Sequence, residues 1–136
     1  MADTHCFHPP RFIHHGAVHT VTGSCHQYLL AEHYTLLIDC GLFQGDELGA
    51  GSDQQLNGRL PFALSTIKAL ILTHVHLDHC GRLPQLYAAG YRGPIYLTQA
   101  SALLLPLALR DALKTNSELQ PEQINLLLDG LLRLLK

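Results

Sequence analysis

The sequence predicts an α/β domain, and three observations carry that prediction. Short apolar or alternating runs bounded by turn residues fill the first half, which is the pattern of strands. Strand and helix spacings alternate in the second half, which is the pattern of parallel strands joined by helical crossovers. Between them the apolar run Ala69-Leu70-Ile71-Leu72 leads directly into Thr73-His74-Val75-His76-Leu77-Asp78-His79. Such a run reads as a buried strand, so the polar cluster sits where a strand leaves its sheet. Open α/β sheets build their sites at that end of the strands.

Composition sets the limits. At 136 residues the chain fits one domain, and a domain of roughly 150 residues buries about 68–70% of its unfolded surface. Nearly half of the residues are apolar, enough for a real core. The formal charge is −2 and the nine Lys and Arg are scattered, so nothing in the charge pattern advertises a nucleic-acid surface. Cys6, Cys25, Cys40 and Cys80 form no Cys-x-x-Cys pair. The N-terminal stretch to Pro10 is polar and His-rich rather than a basic patch before an apolar core. The expectation is a cytoplasmic protein with reduced thiols. The longest apolar run, Ala100 to Leu109, contains Ser101 and Pro106 and reaches about half of the ~20 residues that cross a bilayer. No membrane segment is expected.

Taken in order, residues 1–10 read as an irregular leader and residues 11–136 as the domain. Arg11 to about His19 has strand character, interrupted at Gly16 by a bulge or a close backbone approach. Thr22-Gly23-Ser24 is a turn, and Cys25 to Ala31 a second strand. Glu32-His33 ties it so closely to Tyr34–Ile38 that the two make an antiparallel hairpin ending at Asp39. Residues 40–58 carry five glycines and read as one long loop, a length that is often functional. Leu60 to Ile67 holds a short helical turn, and Lys68 to Leu72 is the next strand. Past Gly81, the residues Leu83, Leu86 and Tyr87 suit a helix with Pro84 in its first turn and Gly90 at its end.

Ile95-Tyr96-Leu97 is a short strand. Thr98 caps a helix running to about Lys114, in which Pro106 predicts a kink or a break. Pro121 opens a final helix whose positions Ile124, Leu127, Leu128, Leu131, Leu132 and Leu135 form one apolar face. The sequence offers that face no partner, which predicts self-association through it.

The cluster at the end of the buried strand carries the chemistry. Side chains at i and i+2 of an extended segment point the same way, so His74 and His76 can address one metal ion. Asp78 and His79 follow as the backbone turns and can address a second. Two ions about 3.5–4 Å apart make the clamp used to hydrolyse esters and phosphodiesters. Imidazole and carboxylate suit Zn²⁺ first, with Mn²⁺ or Fe as alternatives. The bland alternative is a polar loop whose histidines cap a helix. Four potential ligands within six residues, placed after a buried strand, outweigh it. His14, His15, His19 and His26 read instead as ordinary surface or half-buried residues. Cys25, Cys40 and Cys80 read as small packing residues without a neighbouring base.

His74-x-His76-x-Asp78-His79 resembles the signature of the metallo-β-lactamase fold. Gly16-Ala17, Val21 to Cys25, Leu37 to Gly45 and Leu72 through Pro84 resemble the RNA-processing branch of that family, whose members carry a β-CASP insertion. The resemblance runs from about Gly16 to Lys114. It implies an αββα sandwich, of which these residues hold the first sheet with its flanking helices. It also implies a zinc-dependent ribonuclease; RNA enters as a partner on the resemblance alone. By position, His74 and His76 would bind the first zinc, Asp78 and His79 the second, and Asp78 would also hold the attacking water. Asp39 matches the acidic residue that closes the family's first motif and orients the site from behind its ligands. A turn-forming Asp before Cys40-Gly41 is the equal alternative. The hydroxide, formed because coordination brings the pKa of water near 7, would attack phosphorus in line while the metals offset charge on oxygen.

Family members finish the site further along, with a histidine in a Gly-His segment, a bridging aspartate after a later strand, and a histidine beyond the β-CASP domain. Here no histidine follows His79, and Asp111 and Asp129 fall in helical stretches. Four ligands shared by two metals fall short of the three protein ligands a catalytic zinc usually has. The expectation is the N-terminal portion of a larger enzyme, a fragment or a truncated reading frame, that binds metal weakly and is inactive alone. Two other functions stay open. One is another hydrolase on the same fold, such as a glyoxalase-type thioesterase; the other is a truncated, non-catalytic metal-binding or interaction module.

Overall fold

A computed structural model describes residues 9–45, 49 and 51–136. Most of the expected leader, Cys6 with it, and residues 46–48 and 50 of the long loop lie outside the described residues. The β-branched and leucine-rich runs form five strands: β1 (Arg11–His14), β2 (His26–Ala31), β3 (Tyr34–Ile38), β4 (Ile67–Ile71) and β5 (Ile95–Tyr96). They lie side by side in chain order. The two-residue link Glu32-His33 forces β2 and β3 into the expected antiparallel hairpin, with Leu30 left over where the register slips between Leu29 and Ala31. β1 joins β2 antiparallel, whereas β3, β4 and β5 run parallel.

Parallel neighbours require crossovers. The first passes through α1 (Ser52–Asn57) and a 3₁₀ turn at Leu64–Thr66; the second passes through α2 (Leu77–Cys80) and α3 (Leu83–Ala88). Two longer helices follow, α4 (Gln99–Asn116) and α5 (Pro121–Leu132). Between Thr35 and Leu36 the β3–β4 register passes over Lys68, and both Ile67 and Leu70 reach the core.

The core lies on one face of the sheet. Leu37, Leu70 and Ile95 stand in register across three strands. They meet Leu83 and Leu86 of α3, Leu105 and Leu109 of α4, and Ile124, Leu128 and Leu131 of α5. Full burial of each such side chain contributes about 1.5–3 kcal/mol. The residues that follow on the opposite face, Ile38, Ile71 and Tyr96, are also in register. Ile71 and Tyr96 are exposed there, and Phe12 stacks on Tyr28 at 4.6 Å between ring centroids.

Several expectations change. The first strand stops at His14 rather than His19, because the chain bends from His15 to Thr22 and Ala17 takes a left-handed φ of 56°. Gly16 is a close approach: a Cβ there would stand 2.1 Å from the Gly23 carbonyl oxygen. The supposed loop at 40–58 contains α1, whose six residues offer too little apolar spacing to be read as a helix. The helix α4 continues through Pro106 without a break. Burial of Leu105 and Leu109 on either side of the proline offsets its cost of about 3 kcal/mol. Thr98 caps this helix as expected, accepting from the Ser101 N–H at 3.2 Å.

The leucine face of α5 is not left open. Ile124, Leu128 and Leu131 are buried, packed with α3 and α4, where the sequence offers the face no partner. The most exposed leucines are Leu103, Leu104 and Leu107 on α4 and Leu126 on α5, which lies outside the predicted face. Leu135 is not helical either. It bridges Ile95 in parallel, flanked by the bonds Ile95 N–H to Leu134 O and Lys136 N–H to Ile95 O, both 2.9 Å. Among the described residues no helix is long and apolar enough to cross a membrane.

Candidate metal centre

The chain leaves β4 in the sheet as far as Leu72, whose N–H donates to Tyr96 O at 2.8 Å. It then runs extended to His76, the residue that precedes α2. His74 and His76 therefore sit on extended backbone, Asp78 and His79 on a single helical turn. Four residues cannot hold a helix by themselves, and α2 is held from outside. Its carbonyls at Leu77, Asp78 and His79 accept from the N–H groups of Leu42, Ser24 and Cys40 at 2.8, 2.8 and 2.9 Å. The donors come from the two flanking motifs, Val21 to Cys25 and Leu37 to Gly45. Gly41 is required at this junction, since a Cβ there would lie 1.6 Å from the Asp78 carbonyl oxygen.

Asp39 is the hub. Its φ of 60° is left-handed, a conformation costly for most residues and tolerated by Asp. Its buried carboxylate accepts from Ser24 Oγ (2.9 Å), Thr73 N (2.8 Å), Thr73 Oγ1 (2.9 and 3.0 Å) and His79 Nδ1 (2.8 Å). A buried carboxylate is tolerable only with such partners, and these partners set tautomers. A carboxylate accepts, so a proton of His79 is on Nδ1; in the neutral ring Nε2 then carries the lone pair, and it faces Asp78 Oδ2 at 3.5 Å. Thr73 gives its one hydroxyl proton to Asp39. Toward His74 Nδ1, 3.1 Å away, it can only accept. His74 likewise keeps a free Nε2. One carboxylate thus prepares two imidazoles as ligands, one directly and one through a threonine.

The sequence profile of the Metallo-beta-lactamase superfamily matches residues 20–113. The chain belongs to that superfamily. Ribonuclease TTHA0252 of Thermus thermophilus is 46% identical over 110 residues, covering 79% of this chain and 24% of the relative. Transcription termination factor FttA of Methanothermobacter thermautotrophicus is 38% identical over 95 residues, covering 68% and 14%. Integrator complex subunit 11 of Danio rerio is 35% identical over 85 residues, covering 56% and 13%. The chain thus spans about a quarter or less of the length of these relatives. Its five-stranded sheet with flanking helices is a partial metallo-beta-lactamase fold.

In this superfamily member the four motif side chains form a loose group. The ring centroids of His74 and His76 are 4.8 Å apart, those of His74 and His79 3.9 Å, and His79 Nε2 is 3.5 Å from Asp78 Oδ2. The donor set suits a divalent ion: free imidazole nitrogens and a carboxylate, all reached from solvent. Among the described residues, however, no three His, Cys, Asp or Glu side chains converge closely enough to hold one ion. The donors approach in pairs.

Among the described residues His14 and His15 lie outside this group, and His26 reaches it only through Ser24 Oγ, 3.4 Å from its Nε2. His15 Nε2 meets Gln27 Oε1 at 2.7 Å and its ring packs on Phe62; burial, more than the opposing bond to Gln27, holds its pKa below the usual value. His14 and His26 face each other through Nδ1 at 2.9 Å, and burial lowers the pKa of His26. Cys25, Cys40 and Cys80 are free and fully buried. Burial pushes the Cys80 thiol up to about 12, and the hydrogen bond with Cys40, then burial, raises that of Cys25. They are packing residues, as the sequence suggests.

Three contributors escaped sequence reasoning. Ser24 and Thr73 bind Asp39, and Arg82 is buried with Nε on Gly41 O at 2.6 Å and Nη1 on Arg59 O at 3.0 Å, its guanidinium 5.2 Å from the Phe43 ring centroid. All three lie within the motif runs, but nothing in a run tells which member points at which.

Proposed function

We propose that this chain carries the opening half of the metal centre of a ribonuclease in the RNA-processing, β-CASP branch of the superfamily. His74 and His76 would hold one divalent ion, zinc first, and Asp78 and His79 a second, with Asp39 as their support. Bound there, the metal supplies an activated water for hydrolysis of an RNA phosphodiester. Asp78 would orient that water, while Asp39 and Thr73 keep the His79 and His74 lone pairs aimed outward. The observation that carries the reading is the bonding of Asp39 to both His79 and Thr73, because a turn-forming aspartate has no need of a histidine or of the threonine that touches a second one. The relatives, a ribonuclease and transcription termination factors, support RNA as the substrate class. A reducing, cytoplasmic setting is part of the proposal on the sequence alone, whose cysteines form no Cys-x-x-Cys pair.

With two donors for each ion, fewer than the three protein ligands a catalytic zinc usually has, the isolated chain would bind zinc weakly and turn over no RNA. Zinc titration followed by isothermal calorimetry, with His74→Ala and His76→Ala beside the unchanged chain, tests this. Weak binding that each substitution abolishes is the expected result. Binding that neither substitution affects removes the proposed ligands. Two tightly held zincs, or ribonuclease turnover lost in His76→Ala, would show that the site is more complete than proposed.

A further inference from the structure

We infer that Ser24 is a positioning residue of the metal centre, acting on α2 through its backbone and on His79 through Asp39. The inference rests on the reading of His79 as a ligand. Ser24 is buried, and every polar group it owns is engaged at the site. Its N–H donates to Asp78 O at 2.8 Å, and its carbonyl accepts from Gly41 N–H at 2.9 Å. Its hydroxyl donates to Asp39 Oδ2 at 2.9 Å, the same oxygen that accepts from His79 Nδ1 at 2.8 Å. One residue therefore grips the turn that carries Asp78 and the carboxylate that aims His79.

A serine hydroxyl rotates to suit its surroundings, so its direction needs a cause. His26 Nε2 lies 3.4 Å from Ser24 Oγ. Ser24 has given its proton to Asp39, so toward His26 it accepts, and His26 donates from Nε2. His26 Nδ1 is then the acceptor for His14 Nδ1, 2.9 Å away. Donor and acceptor roles run without conflict from His14, at the outer strand, through His26, Ser24 and Asp39 to His79. Remove the hydroxyl and Asp39 Oδ2 loses a buried donor. The carboxylate can then turn toward Thr73, and His79 loses the acceptor that fixes its tautomer.

The test uses the whole chain with Ser24→Ala, which keeps both backbone bonds, and Ser24→Thr, which keeps the hydroxyl. Nitrogen-15 NMR of the metal-free chain reads the His79 tautomer, and Co²⁺ titration reads ligand quality. Ser24→Ala is expected to shift His79 toward its Nε2–H form and to weaken Co²⁺ binding about tenfold, the low end for residues behind a ligand. Ser24→Thr restores both, and His26→Gln gives a smaller shift in the same direction. A purely architectural serine would lower the melting temperature and leave tautomer and Co²⁺ affinity alone; that outcome overturns the inference. Where Ser24→Ala loses the fold, Ser24→Cys replaces a strong donor with a weak one at nearly equal volume and is read by the same two criteria. Failure of the unchanged chain to bind Co²⁺ would sink the metal reading separately, with the tautomer shift still deciding the role of Ser24.

Discussion

The turn that bears Asp78 and His79 and the helical layer behind the sheet are held by different forces. The turn is four residues long and buries only Cys80. It is kept in place by N–H groups from Ser24, Cys40 and Leu42, each within 2.9 Å of its carbonyl acceptor. The layer of α4 and α5 is 18 and 12 residues long and is held by buried leucines and one isoleucine. Hydrogen bonds weaken steeply with angle and distance, whereas burial of apolar area has no direction. The first region can aim a ligand and cannot accept an extra atom. The second can accept a proline at position 106 and aims nothing.

Substitutions should separate the two regimes. Gly41→Ala has the largest expected effect, because its Cβ would fall 1.6 Å from Asp78 O, a backbone atom with nowhere to move. We expect a loss at or beyond the ~3 kcal/mol upper end of overpacking, measured by urea unfolding, together with loss of Co²⁺ binding. A folded Gly41→Ala chain with unchanged Co²⁺ affinity would mean that α2 is not clamped as described. Leu128→Ala comes next, a fully buried side chain of α5. It should cost about 2–5 kcal/mol through the cavity it leaves, while Leu128→Met should cost under about 1.5 kcal/mol. Neither should change Co²⁺ affinity in the folded protein. A matching drop in affinity would show that the layer does aim the site.

The same contrast explains what was legible in the sequence. Side-chain chemistry and periodicity are written residue by residue. The hairpin over Cys25 to Ile38, the buried strand before Thr73 and the cluster His74, His76, Asp78 and His79 could therefore be read directly. Asp39 could be read only as an even choice, because its role depends on a left-handed backbone and on Ser24 and Thr73, which lie 15 residues before it and 34 after. The α5 face was legible as apolar, but not as covered; its partners come from α3 and α4 through chain crossovers that no spacing rule encodes. Leu135 fitted the helical spacing and went instead to the sheet, because pairing with Ile95 satisfies backbone groups that a frayed helix end would leave open.

The smallest effect lies outside both regions, at the start of the sheet. His15 sits behind β1, bonded to Gln27 and packed on Phe62, and burial holds its pKa below the ordinary 6.5. The unfolded chain takes up a proton at this residue near pH 6.5, before the folded chain does. Stability from a neutral, buried His15 is therefore fully present above 6.5 and lost as pH falls through the depressed folded value. Melting temperature should drop between pH 7.5 and 5.5, and drop less in His15→Gln, which keeps a donor for Gln27 and cannot titrate. His26, also lowered by burial, remains in both proteins, so the difference between the two curves belongs to His15 and to the charge His15 places on His26. Parallel curves would mean that the ring is as open to protonation folded as unfolded.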